Sequence, residues 1–150
     1  MKRHLAREIA LQFLYRHDME KQSDGVLSSS ATAGFDSVLA RALQDHFEHF
    51  QVPADVREFS AQLVAGTLKE LAELDVLIEK HASNWKMARM ALVDRNLLRL
   101  SAYELLRFPE TAASIVIDEA IELAKEFGTS DSPAFINGIL DALQRQIRSS

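Results

Sequence analysis

The chain has no cysteine among its 150 residues, which excludes a disulfide framework, a thiolate metal site and the usual nucleophile of thiol enzymes. That fits a reducing compartment, and the expected location is the cytoplasm. Long apolar runs are missing too. None approaches the roughly 20 residues that span a bilayer, and the N-terminus lacks an apolar segment closed by a small-residue cleavage site. A soluble, unexported chain with no membrane partner is expected. Neither GxxxxGK[ST] nor GxGxxG occurs, and there is no GxSxG, so the usual signatures of phosphate loops, dinucleotide sites and hydrolase elbows are absent. Positive charge is in deficit, with 17 Lys and Arg against 22 Asp and Glu and a net charge of -5. An acidic chain does not bind nucleic acid through its whole surface, so contact with a polyanion needs a local basic patch.

What is present is helical periodicity. With 47% hydrophobic and 26% charged residues, the chain is large enough to fold around a core. Leu5, Ala6, Ile9, Ala10, Phe13 and Leu14 recur at spacings of three and four and predict a first helix from Leu5 to about Gln22. Residues 23–34, rich in Ser, Thr and Gly, read as a flexible loop. Phe35, Val38, Leu39, Ala42, Leu43, Phe47 and Phe50 predict a second helix, stopped before Pro53. One long third helix is expected from Pro53 to about His81, with Gly66 allowing close approach of a neighbour. Ser83 and Asn84 are candidate caps for a short helix, followed by a longer buried one ended by Pro109. Residues 115–127 predict a helix closed by Gly128. The final helix takes Ser132 as cap and Pro133 as its first position, and its stripe runs through Asn137-Gly138. The expectation is all-α: about seven helices, no convincing strand and no internal repeat.

Catalytic chemistry finds no support in this pattern. Asp45, His46, Glu48 and His49 are the nearest approach to a metal cluster, but the spacing is not HExxH and His46 falls on the apolar stripe. Asp118 and Glu119 are adjacent, hence about 100° apart on a helix rather than facing one substrate. They suit the positive start of their helix instead. The chain is expected not to be an enzyme and to use no metal or cofactor.

Charge placement is more informative. Residues 1–16 carry +3 through Lys2, Arg3, Arg7 and Arg16 against Glu8, and residues 86–107 also carry +3, which leaves -11 on the remainder. A basic edge of this kind engages phosphates, while acidic surfaces suit a basic protein partner. Ordinary solvated helix ends with salt bridges would give the same count.

The order of AREIALQFLY at the front, NWKMARMALVDRNLLRLSAYEL in the middle and INGILD near the end resembles the NusB family of transcription antitermination factors. VIDEAIELAKEFGTSDSPAFINGILD is the most specific part, with an acidic-start helix, a Gly-containing break, an Asp-Ser cap and a Phe-x-Asn-Gly helix. The likeness covers nearly the whole chain apart from residues 23–34 and the second helix. It implies two small helical subdomains, about 1–82 and 83–150, with roughly three and four helices. It also implies binding to a boxA-type single-stranded RNA together with the small-subunit ribosomal protein that acts as NusE. The pair would serve as an adaptor in the RNA polymerase antitermination complex that supports ribosomal RNA synthesis.

Carried over by position, Lys2, Arg3 and Arg7 would pair with RNA phosphates, for which arginine offers a fixed fork of donors. His4 stands where a richer arginine cluster is often expected, which lowers the affinity expected without the partner. Asp131, Ser132 and Phe135 fall to the same RNA contact, although Asp131 and Ser132 also suit a helix cap, and Phe135 lies on a core stripe. Tyr15 suits a base stack, the protein partner or the edge of the core. Asp94 and Arg95 align with the partner-binding face, or are ordinary surface charges. Trp85, Tyr103 and Glu104 are assigned to structure, Glu104 with an internal partner such as Arg99. Changing both Arg3 and Arg7 to Glu is expected to weaken RNA binding without lowering thermal stability. A helical module that only holds a basic ribosomal protein is the alternative, and apolar helix faces could also support a homodimer. A third reading, the helical domain that precedes some RNA methyltransferases, is not expected, since these 150 residues leave no room for a cofactor-binding α/β domain.

Overall fold

A computed structural model describes residues 2–24, 32–83 and 85–148, with side chains for all of these except 22–24 and 32–36. The described residues form seven α-helices and one 3-10 turn, with no strand. The helices are α1 (Arg3–Asp24), α2 (Thr32–His49), α3 (Ala54–Lys69), α4 (Leu71–His81), α5 (Leu92–Arg107), α6 (Ala113–Phe127) and α7 (Ser132–Arg148), with the 3-10 turn at Met87–Arg89 between α4 and α5. The loop expected over 23–34 lies mostly outside the described residues, as does the candidate cap Asn84.

Two differences from the periodicity reading have local causes. The single helix expected from Pro53 to His81 is two, because the backbone leaves helical geometry at Glu70 (φ -104°, ψ 21°). The hydrogen bonds run on through the bend, from Glu70 N–H to the Gly66 carbonyl at 3.0 Å and from Leu74 N–H to the Glu70 carbonyl at 2.9 Å, so the apolar pattern shows no gap. The short helix expected after residue 84 is the 3-10 turn, and α5 starts only at Leu92.

The chain divides into two compact units, Met1–Ala65 and Gly66–Ser150. The sequence reading divided it near residue 82. In the structure α4 packs on α5 and α7 and therefore falls in the second unit.

In the first unit the apolar stripe of α1, Ala6, Ile9, Ala10, Phe13 and Leu14, is buried, as are Leu39, Leu43 and Phe47 of α2 and Val56, Phe59 and Leu63 of α3. His46 joins α2 to α1. It is only 1% exposed, its ring meets Phe13 edge-on at 5.3 Å, and its Nε2 lies 3.3 Å from the Ile9 carbonyl. A carbonyl only accepts, so Nε2 carries the hydrogen and Nδ1 is left buried with no hydrogen-bond partner among the described residues.

Burial, reinforced by the charge of Arg16, lowers the His46 pKa below the ordinary 6.5. His17 shifts the same way, through burial and then Lys21. A histidine held neutral by the fold takes its proton first in the unfolded chain. Its contribution to stability is therefore complete above pH 6.5 and is lost as pH falls toward the lowered folded value. Melting curves should show the midpoint falling as pH drops below about 6.5. His46→Gln, whose amide still reaches a carbonyl, should flatten the dependence and leave the His17 share. A wild-type midpoint that holds steady across this window would contradict the assignment.

In the second unit α5 packs against α4, α6 and α7. Leu97, Leu98, Leu100, Ala102 and Leu105 of α5 are buried, with Val116, Leu123 and Ala124 of α6 and Ile136, Leu140 and Leu143 of α7. Gly66 lets the Tyr103 ring approach the α3 backbone, where a Cβ would collide with the ring carbon Cζ and the hydroxyl. Arg148 at the end of α7 donates to the Leu105 carbonyl at 3.0 Å, the Phe108 carbonyl at 3.1 Å and the Thr111 carbonyl at 2.6 Å. Its cation thus ties the last turn of α5, at Leu105, to the connection that leads on to α6.

Candidate nucleic-acid interface

The basic start of α1 is organised by an aromatic ring from α3. Lys2 precedes the helix and is exposed, and Arg3 is its first residue, also exposed. The Arg3 guanidinium carbon lies 4.4 Å from the centre of the Phe59 ring. Arg7, one turn on, reaches the same ring at 5.8 Å. Residues at i and i+4 share a helix face, so both arginines stand over one ring and are held by cation–π attraction. No acidic residue occupies the first turn of α1. The amide ends there carry the positive pole of the helix, and adding cations to it is unfavourable for the helix and attractive to an anion. His4 lies in the same turn.

Arg7 differs from its neighbours in being only 4% exposed. A carboxylate there would enter the interior, so the expectation that both arginines can be reversed without loss of stability does not hold for Arg7. No local signal in the sequence ties Phe59 to α1.

The second set of candidate residues sits at the start of α7. Asp131 is exposed and its carbonyl accepts from Phe135 N–H at 3.2 Å, which begins the helical ladder. Ser132 does not cap forward into the helix as expected. It is 1% exposed, and its Oγ accepts from Thr129 N–H at 2.9 Å, which fixes the turn between α6 and α7. Gly128 is required by the same packing: a Cβ there would lie 2.5 Å from Ser132 Oγ and 2.9 Å from the Ala124 carbonyl. Phe135 is half-buried, and the Trp85 ring meets it edge to face at 5.7 Å and 71°.

The residues assigned to a protein partner separate by burial. Tyr15 on α1 and Asp94 in the first turn of α5 keep part of their surface in solvent, and Asp94 Oδ1 has no hydrogen-bond partner among the described residues. Arg95 is 4% exposed and its Nη1 donates to the Met87 carbonyl at 3.1 Å. It therefore braces the 3-10 turn from inside and offers little surface to a partner. Glu104 is buried, as its structural assignment requires, and Arg99 pairs with Asp75 of α4.

Comparison with known proteins covers almost all of this framework. The model of the NusB family matches residues 4–145. The transcription antitermination protein NusB of Desulfatibacillum aliphaticivorans is 42% identical over 142 residues, which span 95% of this chain and 89% of that protein. The solved structure of T. maritima NusB superposes with a TM-score of 0.78 at 29% identity, covering 97% of this chain and 92% of that one. A structure of antitermination factors NusB and NusE in complex with dsRNA contains a chain that matches with a TM-score of 0.77 at 26% identity, over 97% of this chain and 99% of that one. With a family model spanning the helices of both units and relatives aligned nearly end to end, the chain belongs to the NusB family.

Proposed function

We propose that this chain is a transcription antitermination factor that binds boxA-type single-stranded RNA together with the small-subunit ribosomal protein acting as NusE. The pair would enter the RNA polymerase antitermination complex during ribosomal RNA synthesis in the cytoplasm. The observation that carries this reading is its match over nearly its whole length to proteins named for antitermination, one of them solved with NusE and RNA. The arrangement on α1 supports it: Lys2 and Arg3 are exposed at a positive helix end, and Arg7 stands behind Arg3 on the shared Phe59 ring.

In this reading Lys2, Arg3, His4 and Arg7 meet phosphates, and Phe135 takes a base. Asp131, exposed beside that base, penalises additional backbone charge, and Ser132 acts through the turn it holds. Tyr15 and Asp94 face the protein partner, and Arg95 acts through the 3-10 turn that it braces. The chain is a non-catalytic adaptor, so all of its effect comes from the two contacts it joins.

The test is RNA binding by fluorescence anisotropy with a boxA-type single strand, a scrambled strand and an RNA duplex, with and without the ribosomal protein, over a range of salt. Sequence-selective binding that tightens with the partner is expected, with log K falling by about 0.7 per phosphate contact for each tenfold rise in salt. Partner binding that leaves RNA affinity unchanged would replace this reading with a module that only holds the protein.

A further inference from the structure

The one tryptophan of the chain, Trp85, is 49% exposed, although the sequence reading assigned it to packing. A Trp that closed a core would be covered, and the unit around it has its core closed by aliphatic side chains. Its described ring partner is Phe135, itself half-buried at the start of α7. An edge-to-face pair by itself covers one face of one ring, and about half of the Trp85 surface stays in solvent. Lys86 follows directly and Arg89 ends the 3-10 turn, both exposed.

The segment carrying Trp85 is fixed rather than loose. Trp85 N–H donates to the Ala82 carbonyl at 3.2 Å. Met87, buried two residues on, donates its N–H to Glu79 Oε2 at 2.7 Å and accepts at its carbonyl from Arg95 Nη1 at 3.1 Å. A carboxylate and a buried guanidinium therefore hold both polar groups of Met87. An exposed indole on a braced turn loses little freedom when something stacks on it, which is the condition for tight contact.

We propose that Trp85 and Phe135 form a base-stacking platform for single-stranded RNA in the second unit, with Lys86 and Arg89 contacting the phosphates beside it. The proposal rests on the RNA-binding reading above and adds to it a residue, Trp85, and a place. RNA is favoured over a protein partner because exposed rings interleaved with exposed cations suit a strand that presents a base and a phosphate at each step.

A single tryptophan makes its emission a direct reporter on the full-length protein. Titration with a boxA-type oligoribonucleotide should quench it with the same midpoint that anisotropy of the labelled RNA gives. Trp85→Ala should weaken binding roughly 5- to 100-fold, the range of one lost base stack, while Trp85→Phe keeps most of the affinity. RNA binding by the wild type with no quenching would overturn the platform and leave RNA binding itself standing. Quenching by the ribosomal protein alone, with no further change on adding RNA, would overturn it in favour of a protein contact. An absence of RNA binding in the anisotropy signal, with and without the ribosomal protein, would instead sink the functional reading on which the platform depends. Should Trp85→Ala melt early, the wild-type quench and the Trp85→Phe affinity decide the matter without it.

Discussion

Arg3→Glu should weaken RNA binding by about 10- to 100-fold and leave the melting temperature close to that of the wild type. The magnitude is that of one charge-assisted hydrogen bond, roughly 1.5–3 kcal/mol, lost together with a new repulsion. The stability expectation follows from exposure: Arg3 sits in solvent over the Phe59 ring, and an exposed cation–π contact contributes only about 0.5–1 kcal/mol. A Glu at the positive end of α1 would even interact favourably with the helix. The salt dependence should become shallower by about 0.7 in log–log slope if one phosphate contact is lost.

Arg7→Glu is expected to behave differently. With 4% of its surface exposed, the position would place a carboxylate in the interior of the first unit, so this variant should melt well below the wild type, by an amount corresponding to several kcal/mol. Arg7→Lys keeps the charge while giving up the fork, and it should weaken RNA binding with a smaller loss of stability. Anisotropy titrations over salt, paired with thermal melts, separate the two arginines. If Arg3→Glu binds RNA as the wild type does, the start of α1 is not the phosphate contact.

The helices that could be read from the sequence are those whose pattern is decided locally. The i, i+3, i+4 recurrence in α1, α6 and α7 needs no knowledge of neighbours, and it carried α7 correctly through Asn137-Gly138, where both residues are exposed and a Cβ on Gly138 would meet nothing. The bend at Glu70 was not legible because apolar residues and hydrogen bonds continue across it. What makes α4 part of the second unit is packing on α5 and α7, a tertiary fact.

The candidate site divides in the same way. Positive charge at Lys2, Arg3 and Arg7 is a property of the sequence, but that Arg7 is buried, with the ring of the sequence-distant Phe59 beside it, is a tertiary fact. A serine after an aspartate reads equally as a forward cap or as a backward tie, and the fold chose the tie to Thr129. Arg95 looked like a surface charge beside Asp94, yet its guanidinium reaches back to Met87. Trp85 shows the converse. Composition favours a buried tryptophan, and only the path of the chain between α4 and α5 leaves it half in solvent.

Arg99→Ala should lower stability by about 3 kcal/mol and the melting midpoint by roughly 6–12 °C. Arg99 on α5 grips Asp75 on α4 with both ends of its fork, Nε to Oδ1 at 2.7 Å and Nη2 to Oδ2 at 2.9 Å. Its Nη1 also donates to Asn96 Oδ1 at 3.3 Å. The Arg99 side chain is 9% exposed and that of Asp75 26%, so neither charge is well hydrated, and removing one leaves the other with poor access to water. The exposed Arg145–Asp141 pair, at 2.8 Å, is as short but makes a single contact within one helix, and its setting is different. Arg145→Ala should change stability by no more than about 0.5 kcal/mol, because water replaces the lost partner. A third variant separates attraction from isolation. Replacing both Arg99 and Asp75 with Leu removes the charges together, and it should recover much of what Arg99→Ala loses, since an apolar pair of similar volume is often as stable as a buried ion pair. Urea denaturation of the single variants and the double variant measures this directly. If Arg99→Ala is no less stable than Arg145→Ala, the tie between α4 and α5 contributes nothing. If the double variant is no better than the single, the pair is held for its attraction rather than tolerated for its geometry.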